Sequence, residues 1–227
     1  MREIIRACGD DRLRHIDPVL VIASREDAGG IQKAKAEGVA DENVVVLKPK
    51  SFNSPFAFGE ALIAACRTRR VNFVGQYGWL PLTPPNFIEA YAGMIVNQHP
   101  GPLDPGRPDF GGQGMYGCRV HCARLWFARA AGHEHPNTEV VSHRVTAEYD
   151  RGAVLHRGWV QILSGDNPGS LQERALPEEH RVQIETLRMF SEGSVHEVTR
   201  ESPLVPDEQI PLLIEAKRIA ARLYPKG

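Results

Sequence analysis

Four short apolar runs, Val19–Ala23, Val44–Leu47, Val71–Val74 and Met94–Val96, are each parted from the next by a segment that can form a helix. No other feature limits the fold so tightly. Short runs rich in β-branched residues, with little polar alternation, read as strands buried on both faces, and such strands belong to parallel sheets. Parallel neighbours need crossover connections, which the segments at about Ile31–Glu37, Phe56–Thr68 and Phe87–Tyr91 supply. The pattern predicts an α/β, Rossmann-like open sheet, mostly parallel, with helices on both faces.

The remaining segments extend this frame. Residues 2–8 are patterned as an amphipathic helix that starts at Met1 without a capping side chain, and Gly9 is a plausible stop. Beyond the fourth run, Gly101–Gly114 is a Pro/Gly-rich loop long enough to be a lid or a binding element. A helix is expected over Met115–Ala131, strands over Glu139–Val145 and Val154–Leu163, and helices over Ser170–Ser191 and Glu208–Leu223. There is no internal repeat and no low-complexity linker.

Chemistry concentrates where the fourth run ends, at Asn97-Gln98-His99-Pro100. Ligands of open α/β sheets bind beyond the carboxyl ends of the strands. Two residues apart on extended backbone, Asn97 and His99 point the same way. An amide donor beside an imidazole suits a carbonyl oxygen that becomes negative during reaction. Alone, the motif is equally compatible with turn residues that have no catalytic duty. After the third run, Gly75–Pro85 cannot continue a helix or a strand, because proline blocks both and glycine permits tight turns. This proline-stiffened stretch around Trp79 is either one wall of a site for a flat aromatic ligand or a buried connector with Trp79 in the core.

Composition excludes several classes. The 227 residues carry a formal net charge of −1, with basic residues dispersed along the chain, so no nucleic-acid partner is expected. No apolar run reaches the length of a membrane span and the N-terminus lacks a signal peptide's apolar core, so a cytoplasmic location and no membrane association are expected. Four cysteines show no disulfide framework. Cys118 and Cys122 with His133 and His135 lack the paired ligand spacing of a structural zinc site, and no metal is expected.

Taken in order, the motifs resemble those of the folate-dependent formyltransferase family, most closely its phosphoribosylglycinamide (glycinamide ribonucleotide) formyltransferases. Asn97, His99 and Pro100 match the family's Asn-x-His-Pro, and Asp150 and Gly152 its downstream Asp and Gly. Gly78–Pro84 is similar to its pterin loop, Gly117–Ala123 to its Gly-x-x-x-His helix start, Thr138–Gly152 to its last two-strand region, and Ser164–His180 to its final helix. The resemblance spans roughly residues 2 to 195. It implies a catalytic domain over residues 1–200 with a C-terminal helical extension over 201–227. It implies transfer of a formyl group from 10-formyltetrahydrofolate, as co-substrate, to an amine such as glycinamide ribonucleotide. Asn97, His99 and Asp150 would be catalytic, with Asp150 raising the pKa of His99. Trp79, Leu80, Pro81, Leu82, His143 and Tyr149 would hold the folate, and Glu179 and His121 the acceptor. The implied partners are small molecules, with a homodimer possible. A formyltetrahydrofolate hydrolase, another formyltransferase and an inactive folate- or nucleotide-binding relative stay open as alternatives.

The sequence also departs from the family. The family's first strand and the phosphate-binding Gly/Ser/Asn loop that precedes its first helix have no counterpart, so Met1 is not expected to be the biological start. Leu176 stands where a polar side chain usually precedes the ribose-contacting Glu, and Pro81 replaces an Arg common in the pterin loop.

Overall fold

The computed structural model describes residues 1–227 and has the mixed α/β architecture expected from the alternating pattern. Helix α1 (Arg2–Gly9) is followed by strand β1 (Val21–Ala23), helix α2 (Gly29–Ala36) and strand β2 (Val44–Val46). Then come α3 (Pro55–Thr68), β3 (Val74–Gln76), α4 (Pro85–Ala90) and β4 (Ile95–His99). The chain continues through α5 (Cys118–Ala130), the hairpin of β5 (Asn137–Arg144) and β6 (Val154–Gln161), α6 (Pro168–Ser191) and α7 (Ile210–Leu223).

The strands form two sheets. In one, β1 and β2 run parallel; in the other, the order is β3-β4-β5-β6, with β3 and β4 parallel and the last two strands antiparallel. No ladder joins β1 to β3. What links the two sheets is side-chain packing: Leu20, Ile22 and Leu47 lie against the same cluster of Phe58, Leu62, Ile63 and Ile95 that Val74 touches.

Several boundaries differ from the sequence pattern for local reasons. The apolar run at Val71 was expected to be the third strand, but Arg70 takes a left-handed turn (φ 53°) and Val71 N–H closes the end of α3 on Cys66 O. Pairing with β4 therefore begins at Val74 and carries Gly75 and Gln76, expected as loop, into the strand. The fourth strand continues through His99, because β5 offers partners as far as Val141. At α5 the left-handed Gly117 delays the start to Cys118, three residues after Met115. Helix α6 starts earlier than expected, at Pro168, since Asn167 accepts from Gly169 N and Ser170 N while Ser170 Oγ accepts from Asn167 N.

Two cores position the site. Between α5, α6 and the hairpin lie Leu125, Ala128, Val140, Val160, Leu171 and Val182. The larger cluster joins Phe110, Met115, Val120 and Phe127 to Val205, Leu213, Ala216 and Ala220, so α7 and the long loop after β4 share one apolar interior with α5. No helix is long and apolar enough to cross a membrane. Cys122 is part of the larger core, and the Cys118 thiol donates to Gln172 Oε1 at 2.7 Å.

Candidate active site at the carboxyl ends of the central strands

Alternation along β4 sends Asn97 and His99 to one face of the sheet and Val96 and Gln98 to the other. On β5 the residue opposite Asn97 is His143, and the residue opposite His99 is Val141. The pairing of β5 with β6 shifts between Ser142 and His143, whose partners are His156 and Val154, leaving Leu155 as the extra residue of a bulge. Bulges re-aim side chains, and this one lies beside the residue that closes the cluster.

Asp150 arrives from the loop between β5 and β6. Its backbone is left-handed (φ 57°), a conformation that Asp tolerates better than most residues. The loop closes tightly because residue 152 is glycine: a Cβ there would lie 1.8 Å from Arg144 O. The motif's Asp and Gly are thus two parts of one turn, the second residue making the approach that delivers the first.

The four side chains form a connected group. Asp150 Oδ2 accepts from Gly112 N–H at 2.9 Å and lies 3.5 Å from His99 Nδ1, while Oδ1 lies 3.4 Å from His143 Nε2. His143 Nδ1 faces Arg144 O at 2.8 Å and so carries the proton, which leaves Nε2 to accept from the Asn97 amide at 3.2 Å. That fixes one N–H of Asn97 and frees the other. His99 Nε2 faces Phe110 O at 3.2 Å and donates to it.

Burial would by itself raise the Asp150 pKa, but His99, His143 and the Gly112 N–H outweigh it and hold the carboxyl at about 2. Sequence reasoning expected Asp150 to raise His99 above its ordinary value. Asp150 and Asp109 do pull it up, but burial, the largest effect, pushes it down and outweighs them. His99 and His143 are each only 2% exposed; His143 borders the adjoining cleft with Asn97 and Asp150, and His99 does not. His99 stands behind Asp150, with Nδ1 toward the carboxylate and Nε2 toward Phe110 O.

Trp79, Pro81, Leu82 and Tyr149, expected to hold the folate, line the cleft with Gln76 and Thr83 of the same Gly75–Pro85 stretch and with Val145, Thr146 and Glu148, which the sequence did not single out. Gln76 Nε2 donates to Thr83 Oγ1 at 2.7 Å and braces the loop. Leu80 points outward, 51% exposed, and contributes its carbonyl, which accepts from Tyr149 O–H at 3.4 Å. The Trp79 ring stacks on Phe58 (centroids 6.3 Å apart, planes 6° apart) and also borders the cleft. The space between the walls is about 30 Å³, room for roughly one water.

The two residues expected to hold the acceptor lie elsewhere. Glu179, on α6, is buried against Gln98 on the other face of β4, where it accepts from the Gln98 amide. Burial raises its pKa to about 7. His121 is fully buried on α5 with no partner for either ring nitrogen, and burial lowers its pKa to about 4.

An amide donor, a buried carboxylate–imidazole pair and an adjoining cleft at the end of a central strand define an enzyme-like site suited to acyl-type chemistry. Comparison with known proteins gives the same class. The formyl transferase family model matches residues 1–187, and the chain belongs to that family. It is 31% identical over 212 residues to the chloroplastic phosphoribosylglycinamide formyltransferase of Arabidopsis thaliana, covering 92% of this chain and 68% of that protein. To the phosphoribosylglycinamide formyltransferase of Escherichia coli (strain K12) it is 27% identical over 193 residues, covering 85% and 82%. The crystal structure of glycinamide ribonucleotide transformylase 1 from Symbiobacterium toebii superposes with a TM-score of 0.67 at 29% identity, covering 85% and 82%.

Proposed function

We propose that this chain transfers a formyl group from 10-formyltetrahydrofolate to the amine of glycinamide ribonucleotide, a step of purine biosynthesis. The observation that carries the reading is the Asn97–His143–Asp150–His99 cluster beside the Trp79–Tyr149 cleft, within the segment that matches the family.

In this reading the pterin enters between the Trp79–Thr83 and Val145–Tyr149 walls and brings its N10 formyl group to Asn97. The acceptor amine attacks the formyl carbon, the carbonyl electrons move onto oxygen, and the free N–H of Asn97 donates to the oxyanion. The amine proton leaves toward Asp150 and comes to rest between its carboxylate and His99 Nδ1, where the imidazolium is paired with a charge already in place. Collapse of the tetrahedral intermediate re-forms the carbonyl and breaks the bond to N10, which takes that proton. His143 keeps Asn97 turned toward the oxyanion.

The test is release of tetrahydrofolate from 10-formyltetrahydrofolate, followed with glycinamide ribonucleotide, with other amines and with water alone. Release that requires glycinamide ribonucleotide is expected. Release with water alone would make the protein a hydrolase, and folate binding without release would make it a binder.

A further inference from the structure

Asp150 depends on the loop that precedes α5, and that loop is fastened from the far end of the chain. The contacts run along most of its length. Arg200 Nε donates to Leu103 O at 3.1 Å, Leu204 N to Asp104 Oδ2 at 2.9 Å, and Lys217 Nζ to Gly111 O at 2.8 Å. Arg119 bridges the last stretch, donating to Gly114 O at 2.6 Å and to Tyr224 O at 2.9 Å. All four contacts draw on residues 200–224, beyond the part of the chain that matches the family model.

The Lys217 contact falls nearest the chemistry. Gly111 is pressed against Asp150 so closely that a Cβ on it would lie 2.7 Å from the Cβ of Asp150 and 2.5 Å from Leu103 Cδ2. The next residue, Gly112, donates its N–H to the Asp150 carboxylate. The residue before, Phe110, accepts from His99. Three consecutive residues thus set the carboxylate and the imidazole, and Lys217 holds the middle one. No backbone N–H reaches Gly111 O, so without Lys217 that carbonyl loses its one protein partner. Lys217 itself is half-buried beside Asp109, Asp150 and Arg151, and its ammonium extends from a helix anchored in the core by Leu213, Ala216 and Ala220.

We propose that Lys217 is a positioning residue: from the C-terminal helix it fixes the Phe110–Gly112 segment and thereby the geometry of Asp150 and His99. Its part in catalysis rests on the formyl-transfer reading; its structural action does not. The test uses the full chain with Lys217→Met, which keeps the stem and removes the donor, and Lys217→Arg, which keeps a cationic donor. Amide exchange measured by NMR should quicken at least tenfold at Gly112 in K217M while Val96 and Val141, in the central strands, stay within twofold. K217R should return Gly112 to within threefold of wild type. In the transfer assay K217M should lose at least fivefold in kcat with KM for both substrates within twofold, and K217R should recover half or more. Unchanged exchange at Gly112, or equal acceleration at Val141, overturns the positioning action. Altered exchange with unaltered kcat overturns its role in the reaction. A wild-type protein that transfers no formyl group refutes the functional reading, while the exchange measurement still decides whether Lys217 holds the loop.

Discussion

At the residue scale, two buried carboxyl groups are driven in opposite directions by their surroundings. Asp150 and Glu179 are both desolvated, and they differ in what faces them. Asp150 meets two imidazoles and a backbone N–H and ionises at about 2; Glu179 meets a neutral amide and stays protonated up to about 7. Asp150→Asn deletes the charge with little change in volume, so folate-analogue binding should persist while turnover falls below a tenth of wild type, a loss of at least ~1.4 kcal/mol in the barrier. A variant retaining more than that would remove Asp150 from the proton path. For Glu179 the consequence is in stability. An acid whose folded pKa lies above its unfolded value of 4.5 adds no penalty below that pH and destabilises progressively as pH rises toward 7. The difference corresponds to about 3 kcal/mol. Glu179→Gln should therefore match wild type in urea unfolding at pH 4 and exceed it by that order at pH 8. Equal midpoints at both pH values would refute the desolvation account.

At the scale of the elements, the strand-to-loop edge at β4 does most of the positioning, and it was the most legible part of the chain. Asn97 and His99 could be placed on one face from period-two alternation alone, and the structure puts them there. Asp150 was legible only through its resemblance to a motif; its physical necessity, the glycine two residues later against Arg144 O, appears only once the turn exists. The hidden parts are those set by contacts remote in sequence. That Gln76 belongs to β3 was hidden because pairing with β4 outweighs the apolar run in deciding where the strand lies, and the sign of the His99 shift depends on a burial that no local pattern encodes. Trp79 has two sets of neighbours. Its ring supports the Phe58 cluster and borders the cleft, so Trp79→Ala should cost about 3 kcal/mol of stability as well as weaken folate-analogue binding about tenfold or more. Calorimetric titration at a temperature where the variant stays folded separates the two effects, and an unaltered affinity would take Trp79 out of the pocket wall.

At the scale of the whole molecule, the two sheets differ in how they are held. Strands β4 and β5 are buried and paired on both sides, and α5, α6 and α7 close over them through the two main cores. By contrast β1 and β2 are three residues each, mostly half-buried, bonded only to each other, and tied to the rest by Leu20, Ile22 and Leu47 against the α3 cluster. Stability within a protein follows such differences, because a unit with few buried contacts and a short ladder can open without disturbing its neighbour. The candidate site cluster lies entirely on the better-held side, in β4, β5, the loop after β5 and the loop fastened by α7. The β1–β2 unit should thus open at a free energy below that of global unfolding while the cluster keeps its geometry. Hydrogen exchange followed by mass spectrometry should show peptides covering Val21–Val46 exchanging at least tenfold faster than those covering Ile95–His99 and Asn137–Arg144. Mild denaturant should widen access to the first set before the second. If both sets exchange at one rate and respond to denaturant with one slope, the molecule unfolds as a single unit, and side-chain packing across α3 binds the two sheets as firmly as a shared ladder would.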